Sequence, residues 1–174
     1  MAEIKASGAQ SKKNIAIIGA GISAIAVARI LKRAGHDVVI FEKSHELGGI
    51  WATTYPRVSL QNTRAHYFFS DFNYPERPDL HPTGEQVLRY LNQAVAHWQL
   101  DVRYQHEVLS SEFEQGQWTL TIESPEGQQA QTFDFVVVAT GQYNAEKPEN
   151  EFPGLEKFTG NVLTEIDVES LDVF

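Results

Sequence analysis

The stretch from Asn14 to Glu42 constrains the fold of this chain more than any other. Ile15, Ala16, Ile17 and Ile18 form an unbroken apolar run closed by Gly19, the mark of a strand buried on both faces of a parallel sheet. Gly19-Ala20-Gly21-Ile22-Ser23-Ala24 then reads G-x-G-x-x-A, and Ile22 to Ala34 is apolar nearly all round, with Arg29, Lys32 and Arg33 in its last turns and Gly35 as a C-terminal cap. That pattern predicts a helix. Asp37 to Phe41 is a second strand, and Glu42 stands at its end, 21 residues past Gly21. A strand, a tight turn, a helix and a strand make one parallel unit with a right-handed crossover.

In that setting the residue types have physical jobs. Gly19 permits the tight turn, Gly21 lets a pyrophosphate come close to the backbone, and Ala24 lets helix and strand pack. Phosphates would take the free N–H groups at the helix N-terminus. Glu42 would accept hydrogen bonds from a ribose diol, and its charge disfavours a 2′-phosphate, so the site prefers FAD or NAD over NADP. The plainer alternative is an ordinary buried strand–helix turn followed by an acidic residue.

From Lys43 to Pro82 no long periodic segment occurs; Gly48, Gly49, Pro56, Pro75, Pro78 and Pro82 alternate with aromatic residues. An irregular stretch of this length inside a domain is usually functional. Leu47-Gly48-Gly49-Ile50-Trp51 could lie against a flat ligand with Trp51 over one face, or form a glycine turn beside a core tryptophan. Thr83 and Gln86 form a capping box, and Val87, Leu88, Leu91, Val95 and Trp98 share one face, predicting an amphipathic helix over Thr83 to Trp98. Strands are predicted at Val102 to Tyr104, Glu107 to Phe113, Trp118 to Glu123 and Gln129 to Phe133, the last three as an antiparallel meander. Phe135 to Ala139 is a further, fully apolar strand, ending in Thr140-Gly141, and Pro148 and Pro153-Gly154 mark a surface connection. The fold class is α/β, a Rossmann-like FAD/NAD(P)-binding domain with a parallel sheet and a small antiparallel β-meander.

Composition narrows the function. The formal charge of −9 opposes nucleic acid and anionic lipid as partners, and the absence of cysteine excludes disulfides, a Cys-ligated zinc and a dithiol redox pair. Redox chemistry must then come from a bound cofactor. The six histidines show no metal-ligand spacing, so no metal site is expected. Ile15 to Leu31 is apolar but interrupted by Gly19, Gly21, Ser23 and Arg29, and reads as neither a membrane span nor a signal peptide. A reducing cytoplasmic location is the expectation.

Taken in order, the dinucleotide turn, Phe41-Glu42-Lys43, Leu47-Gly48-Gly49-Ile50-Trp51, Ser59-Leu60-Gln61-Asn62-Thr63, Phe69-Ser70-Asp71-Phe72 with Tyr74-Pro75, and Ala139-Thr140-Gly141 followed by Pro148 and Pro153-Gly154 resemble the N-terminal part of the flavin-containing monooxygenases. The resemblance runs from about Asn14 to Gly160. It implies FAD in one Rossmann domain and NADPH in another. Reduced flavin there meets dioxygen, gives a flavin hydroperoxide and oxygenates a soft small-molecule nucleophile such as an amine or sulfide. Residue by residue, it places Gly19, Ala20, Gly21, Ile22 and Ser23 on the FAD pyrophosphate and Glu42 on the ribose. Ile50 and Trp51 would lie beside the ribityl chain and ring, Asn62 and Thr63 against the isoalloxazine, and Val108 would hold the adenine through its backbone. Lys43, Gly49, Thr140 and Gly141 complete the cofactor-binding set, and Asn62 is the catalytic candidate. From the residues alone, a turn former is the favoured reading of Asn62.

Two departures accompany the resemblance. The family's Phe-x-Gly-x-x-x-His stretch is here Phe158-Thr159-Gly160 with Thr164 at the histidine position, and the sequence ends at Phe174. The expected organisation is a mobile tail over 1–13, an FAD-binding domain over 14–160 and a divergent acidic stub over 161–174, with the NADPH domain absent. That leaves two alternatives beside a monooxygenase: a non-catalytic fragment or subunit completed by a partner chain or by self-association, and an FAD-dependent oxidoreductase of another class.

Overall fold

The computed structural model describes residues 11–141 and 153–163, together with residues 167, 168, 170 and 172. Pro148, and half of the acidic stub including Thr164, lie outside the described residues.

The apolar run becomes β1 (Asn14–Ile18), followed by α1 (Ile22–Arg33) and β2 (Asp37–Glu42). α1 ends as its sequence dictates: Gly35 N–H reaches Lys32 O at 3.0 Å and His36 N–H reaches Leu31 O at 3.2 Å, which satisfies two of the last carbonyls. α2 (Ile50–Thr53) and a 3-10 turn at Arg64–His66 interrupt the irregular stretch. α3 (Gly84–Trp98) starts on the Thr83 and Gln86 capping box, both halves of which are made. β3 (Asp101–Tyr104), β4 (Glu107–Glu114), β5 (Gln117–Ser124), β6 (Gly127–Phe133) and β7 (Phe135–Val138) follow.

β3, β2, β1 and β7 form a parallel sheet in that order, and β4, β5 and β6 form a separate antiparallel sheet. The period of two along β1 and β2 builds the layers. Ile17 and Ile40 face α1 and α3 in one core, with Ala24, Ile25, Val87 and Leu91. Ala16, Val39 and Phe41 face the other way, onto Leu120, Ile122 and Phe133 of the meander. β1 and β2 are therefore covered on both sides, which is why they carry no polar alternation. β1 lies between β2 and β7, so the turn after it opens at the carboxyl end of the parallel sheet, where open α/β sheets bind ligands.

The sheet's bonding extends one residue before the predicted start, because Lys13 O accepts Asp37 N–H at 2.8 Å. α1 and α3 are tied by Lys32, whose ammonium donates to the carbonyls of Trp98 and Gln99 at the end of α3. Arg29 pairs with Asp71 while its guanidinium lies 5.3 Å from the Phe69 ring and 5.1 Å from the Trp98 ring. This anchors the Phe69–Phe72 turn to both helices.

Candidate functional site

Gly19 sits at φ +94°, and a Cβ there would meet Ala139 O at 2.7 Å and Thr140 Cα at 3.3 Å. The fold itself requires glycine at this position. Gly19 N–H donates to Phe41 O at 2.8 Å, so the turn is fastened to β2 as it leaves β1.

Gly21 is different. Its φ is an ordinary −78°, and the nearest heavy atom to a Cβ built on it is Gly49 Cα at 4.0 Å. Nothing in the chain's own packing fills that space. Gly21 is the N-cap of α1, has no side chain with which to cap it, and no acidic residue occupies the first turn. Opposite it, a Cβ on Gly49 would stand 3.3 Å from Gly21 Cα, and Gly48 N–H donates to Ala20 O at 3.0 Å. Two glycine backbones thus line a cradle at a helix N-terminus with uncapped N–H groups and room for a phosphate. The residues present fit a dinucleotide.

Glu42 is the one buried charged residue among the described residues. Its Oε2 accepts Ala20 N–H at 2.7 Å, and its Oε1 accepts both Ser44 N–H at 3.0 Å and Ser44 Oγ–H at 2.7 Å. Oε2 therefore keeps the freer lone pair for a ribose hydroxyl. The strand end is further held by His106 N–H on Glu42 O and Gln105 N–H on Ser44 O, both at 2.9 Å. Ser44 was not legible as a functional residue; a serine two positions past the acid was the available signal.

The remaining candidates divide. Thr140 stands against Gly19, and Gly141 is exposed just beyond it. Lys43 is exposed beside Glu42, and Ile50 is exposed at the start of α2. Trp51 is half-buried, with its indole N–H donating to Tyr67 Oη at 2.8 Å and the two rings meeting edge to face. Tyr67 escaped the sequence reading because no periodicity surrounds it. Asn62 is exposed in a bend and makes no side-chain hydrogen bond to the described residues; Thr63 bonds His66 at 3.0 Å. Val108 pairs with Ile122 and packs against the core cluster that contains Phe41 and the meander residues.

Burial raises the phenols of Tyr67, Tyr74, Tyr90 and Tyr104 above their ordinary range, with Tyr74 pushed up to about 12. All four are neutral around neutral pH. Tyr90 uses its hydroxyl twice, accepting Phe69 N–H at 2.7 Å and donating to Phe72 O at 2.6 Å. No helix among the described residues is long and apolar enough to cross a membrane.

Known proteins are similar to this chain over most of its length. The 4-hydroxybenzoate brominase (decarboxylating) of Marinomonas mediterranea is 34% identical over 87% of this chain and 30% of its own length. The human protein flavin-containing monooxygenase 5 is 29% identical over 94% of this chain and 34% of its own length. The solved S-allyl-L-cysteine S-oxygenase from Allium sativum superposes with a TM-score of 0.77 at 28% identity, over 86% of this chain and 41% of that one. The chain thus spans about a third of the length of these curated relatives. The cofactors that go with such proteins are FAD and NADPH, and a steroid monooxygenase of this fold, 27% identical, has been solved with NADP bound. A family model described as flavin-binding monooxygenase-like matches residues 12–174, spanning the glycine turn, the buried Glu42 and the cradle's far wall, and the chain belongs to that family.

Proposed function

We propose that the cradle formed by Gly19 to Ser23, Glu42 and Gly49 holds FAD, and that this chain is the FAD-binding part of an NADPH-dependent monooxygenase acting on a soft nucleophile, an amine or a sulfide. The observation that carries the reading is the empty volume at Gly21: the protein's own packing would accept a side chain there, so the glycine serves an approaching ligand. Bound FAD, once reduced, supplies dioxygen activation.

The chain's own residues supply the rest. The uncapped N–H groups of α1 receive the pyrophosphate, and the field of the helix favours its charge. Glu42 takes a ribose hydroxyl on Oε2 while Ser44 and Ala20 hold the carboxylate still. Trp51, braced by Tyr67, covers apolar cofactor surface and excludes water. Asn62, whose amide is uncommitted, donates a hydrogen bond near the reacting end of the flavin. Hydride delivery requires a second nucleotide site, since one phosphate cradle holds one dinucleotide.

Calorimetry with FAD and NADPH tests the assignment. FAD binds and displaces NADPH, because Glu42 repels a 2′-phosphate at this ribose position. NADPH binding tighter than FAD overturns it.

A further inference from the structure

A cleft of about 540 Å³ opens beside the 3-10 turn, lined by Arg64, Phe68, Tyr74, Pro75, Arg77 and Pro78 among others. That volume suits a small molecule. Phe68, 42% exposed, and the prolines Pro75 and Pro78 supply apolar surface beside the polar groups of the lining, and the prolines stiffen that part of the chain. Arg64 is held in place from both ends, its N–H on Leu80 O at 2.9 Å and Nη1 on Pro78 O at 3.2 Å. Most of its five donors remain uncommitted.

Among the described residues four of the seven arginines pair with carboxylates, and Arg57, Arg64 and Arg77 do not. Arg29 and Arg33 face Asp71, Arg89 faces Glu76, and Arg103 faces Asp101. Arg64 and Arg77 have no carboxylate partner among the described residues, and no acidic residue lines the cleft they share. The nearest acids in sequence are engaged elsewhere, Glu76 with Arg89 and Asp79 with the Gln86 amide. In a chain of net charge −9, two unpaired guanidinium groups over an apolar floor form a local anion site. The second cationic cleft, at Arg29, Lys32 and Arg33, lacks this character, since Asp71 and two carbonyls already take its donors.

We infer that the cleft between Arg64 and Arg77 is a carboxylate-binding subsite, and that the molecule oxygenated by this protein carries a carboxylate on an apolar, preferably aromatic, body. The anion recognition rests on the cleft itself; that its ligand is the oxygenated molecule rests on the monooxygenase reading. Arg64 follows Asn62 by two residues, so the subsite and the proposed catalytic amide belong to one loop. The guanidinium pair fixes the acid end, the Phe68 and proline surfaces take the body, and the nucleophilic atom is left free to be presented elsewhere.

The test is an NMR titration of the flavin-free 174-residue chain, following the Nε–Hε signals of Arg64 and Arg77 with 4-(methylthio)benzoate, its neutral amide and inorganic phosphate. The acid shifts both signals saturably, and the amide binds at least about tenfold more weakly, the scale of one charge-assisted hydrogen bond. Arg77→Gln weakens the acid about tenfold without changing the amide, Arg77→Lys restores part of the loss, and Phe68→Ala weakens acid and amide together. Backbone signals away from the cleft report that each variant is folded. Equal binding of acid and amide, tighter binding of phosphate than of the acid, or an Arg77→Gln chain that binds the acid normally overturns the inference. FAD titration of the same samples separates the two claims: a chain that takes the acid but not FAD supports the subsite and counts only against the cofactor reading.

Discussion

The Oε2 of Glu42 receives the Ala20 amide at 2.7 Å across 22 positions of sequence, so the acid at the end of β2 holds the glycine turn after β1 from below. The residue proposed to bind a ribose also fixes the shape of the phosphate cradle. Structure and binding are coupled at one carboxylate.

Glu42→Gln therefore acts on both. The amide keeps an acceptor for one partner but turns an N–H₂ toward a donor on the other side, and stability falls by about 1–3 kcal/mol, the cost of a buried unsatisfied polar group. Ser44→Ala removes a donor from the same carboxylate and costs about 0.5–1.5 kcal/mol. Urea denaturation measures both, and FAD affinity falls in the same order.

Gly19→Ala destabilises the protein whether or not a ligand is present. The backbone at φ +94° strains any side chain by about 1–3 kcal/mol, and the Ala139 carbonyl 2.7 Å from the new methyl group adds to it. A lowered denaturation midpoint in the absence of FAD is the expected readout.

Much of this was legible in advance, for physical reasons. Buried parallel strands betray themselves by unbroken apolar runs, as Ile15 to Ile18 does, and helix ends by local capping chemistry, as at Thr83 with Gln86. The meander followed from its turns at Gly116 and Gly127. α2 did not, because its four residues are too few to show a period. Ser44 and Tyr67 were missed because each acts through one partner, Glu42 or Trp51, and a single contact leaves no pattern in sequence. Arg64 and Arg77 line one cleft from a stretch without periodicity, so their spacing in sequence does not show that they meet.

Tyr67→Phe leaves the Trp51 indole N–H without its acceptor. The expected cost is about 0.5–1.5 kcal/mol by thermal or urea unfolding. FAD affinity falls further than Trp51-independent stability does, because Trp51 loses the brace that sets its orientation.

Alkaline pH weakens the fold. Tyr74 ionises at about 12 in the native state against an ordinary 10.0, so the native state holds its proton more tightly than the unfolded chain. Stability is full below pH 10.0 and is lost as pH rises toward 12, and Tyr67, Tyr90 and Tyr104 act in the same direction. The Tyr74 hydroxyl is buried without a hydrogen-bond partner among the described residues. Tyr74→Phe is therefore neutral or stabilising at pH 7, and it flattens the loss above pH 10 measured by denaturation at a series of pH values.

Fluorescence titration of FAD into the wild type and Gly21→Val, with thermal unfolding of both recorded in parallel, tests the central claim most directly. A Cβ at Gly21 meets no heavy atom closer than 4.0 Å, and the parallel unfolding curves establish that the valine variant is folded before its FAD binding is compared. Wild type quenches the flavin saturably, and Gly21→Val does not, because its side chain occupies the volume kept for the pyrophosphate. A folded Gly21→Val chain that binds FAD as tightly as the wild type contradicts the assignment of the cradle.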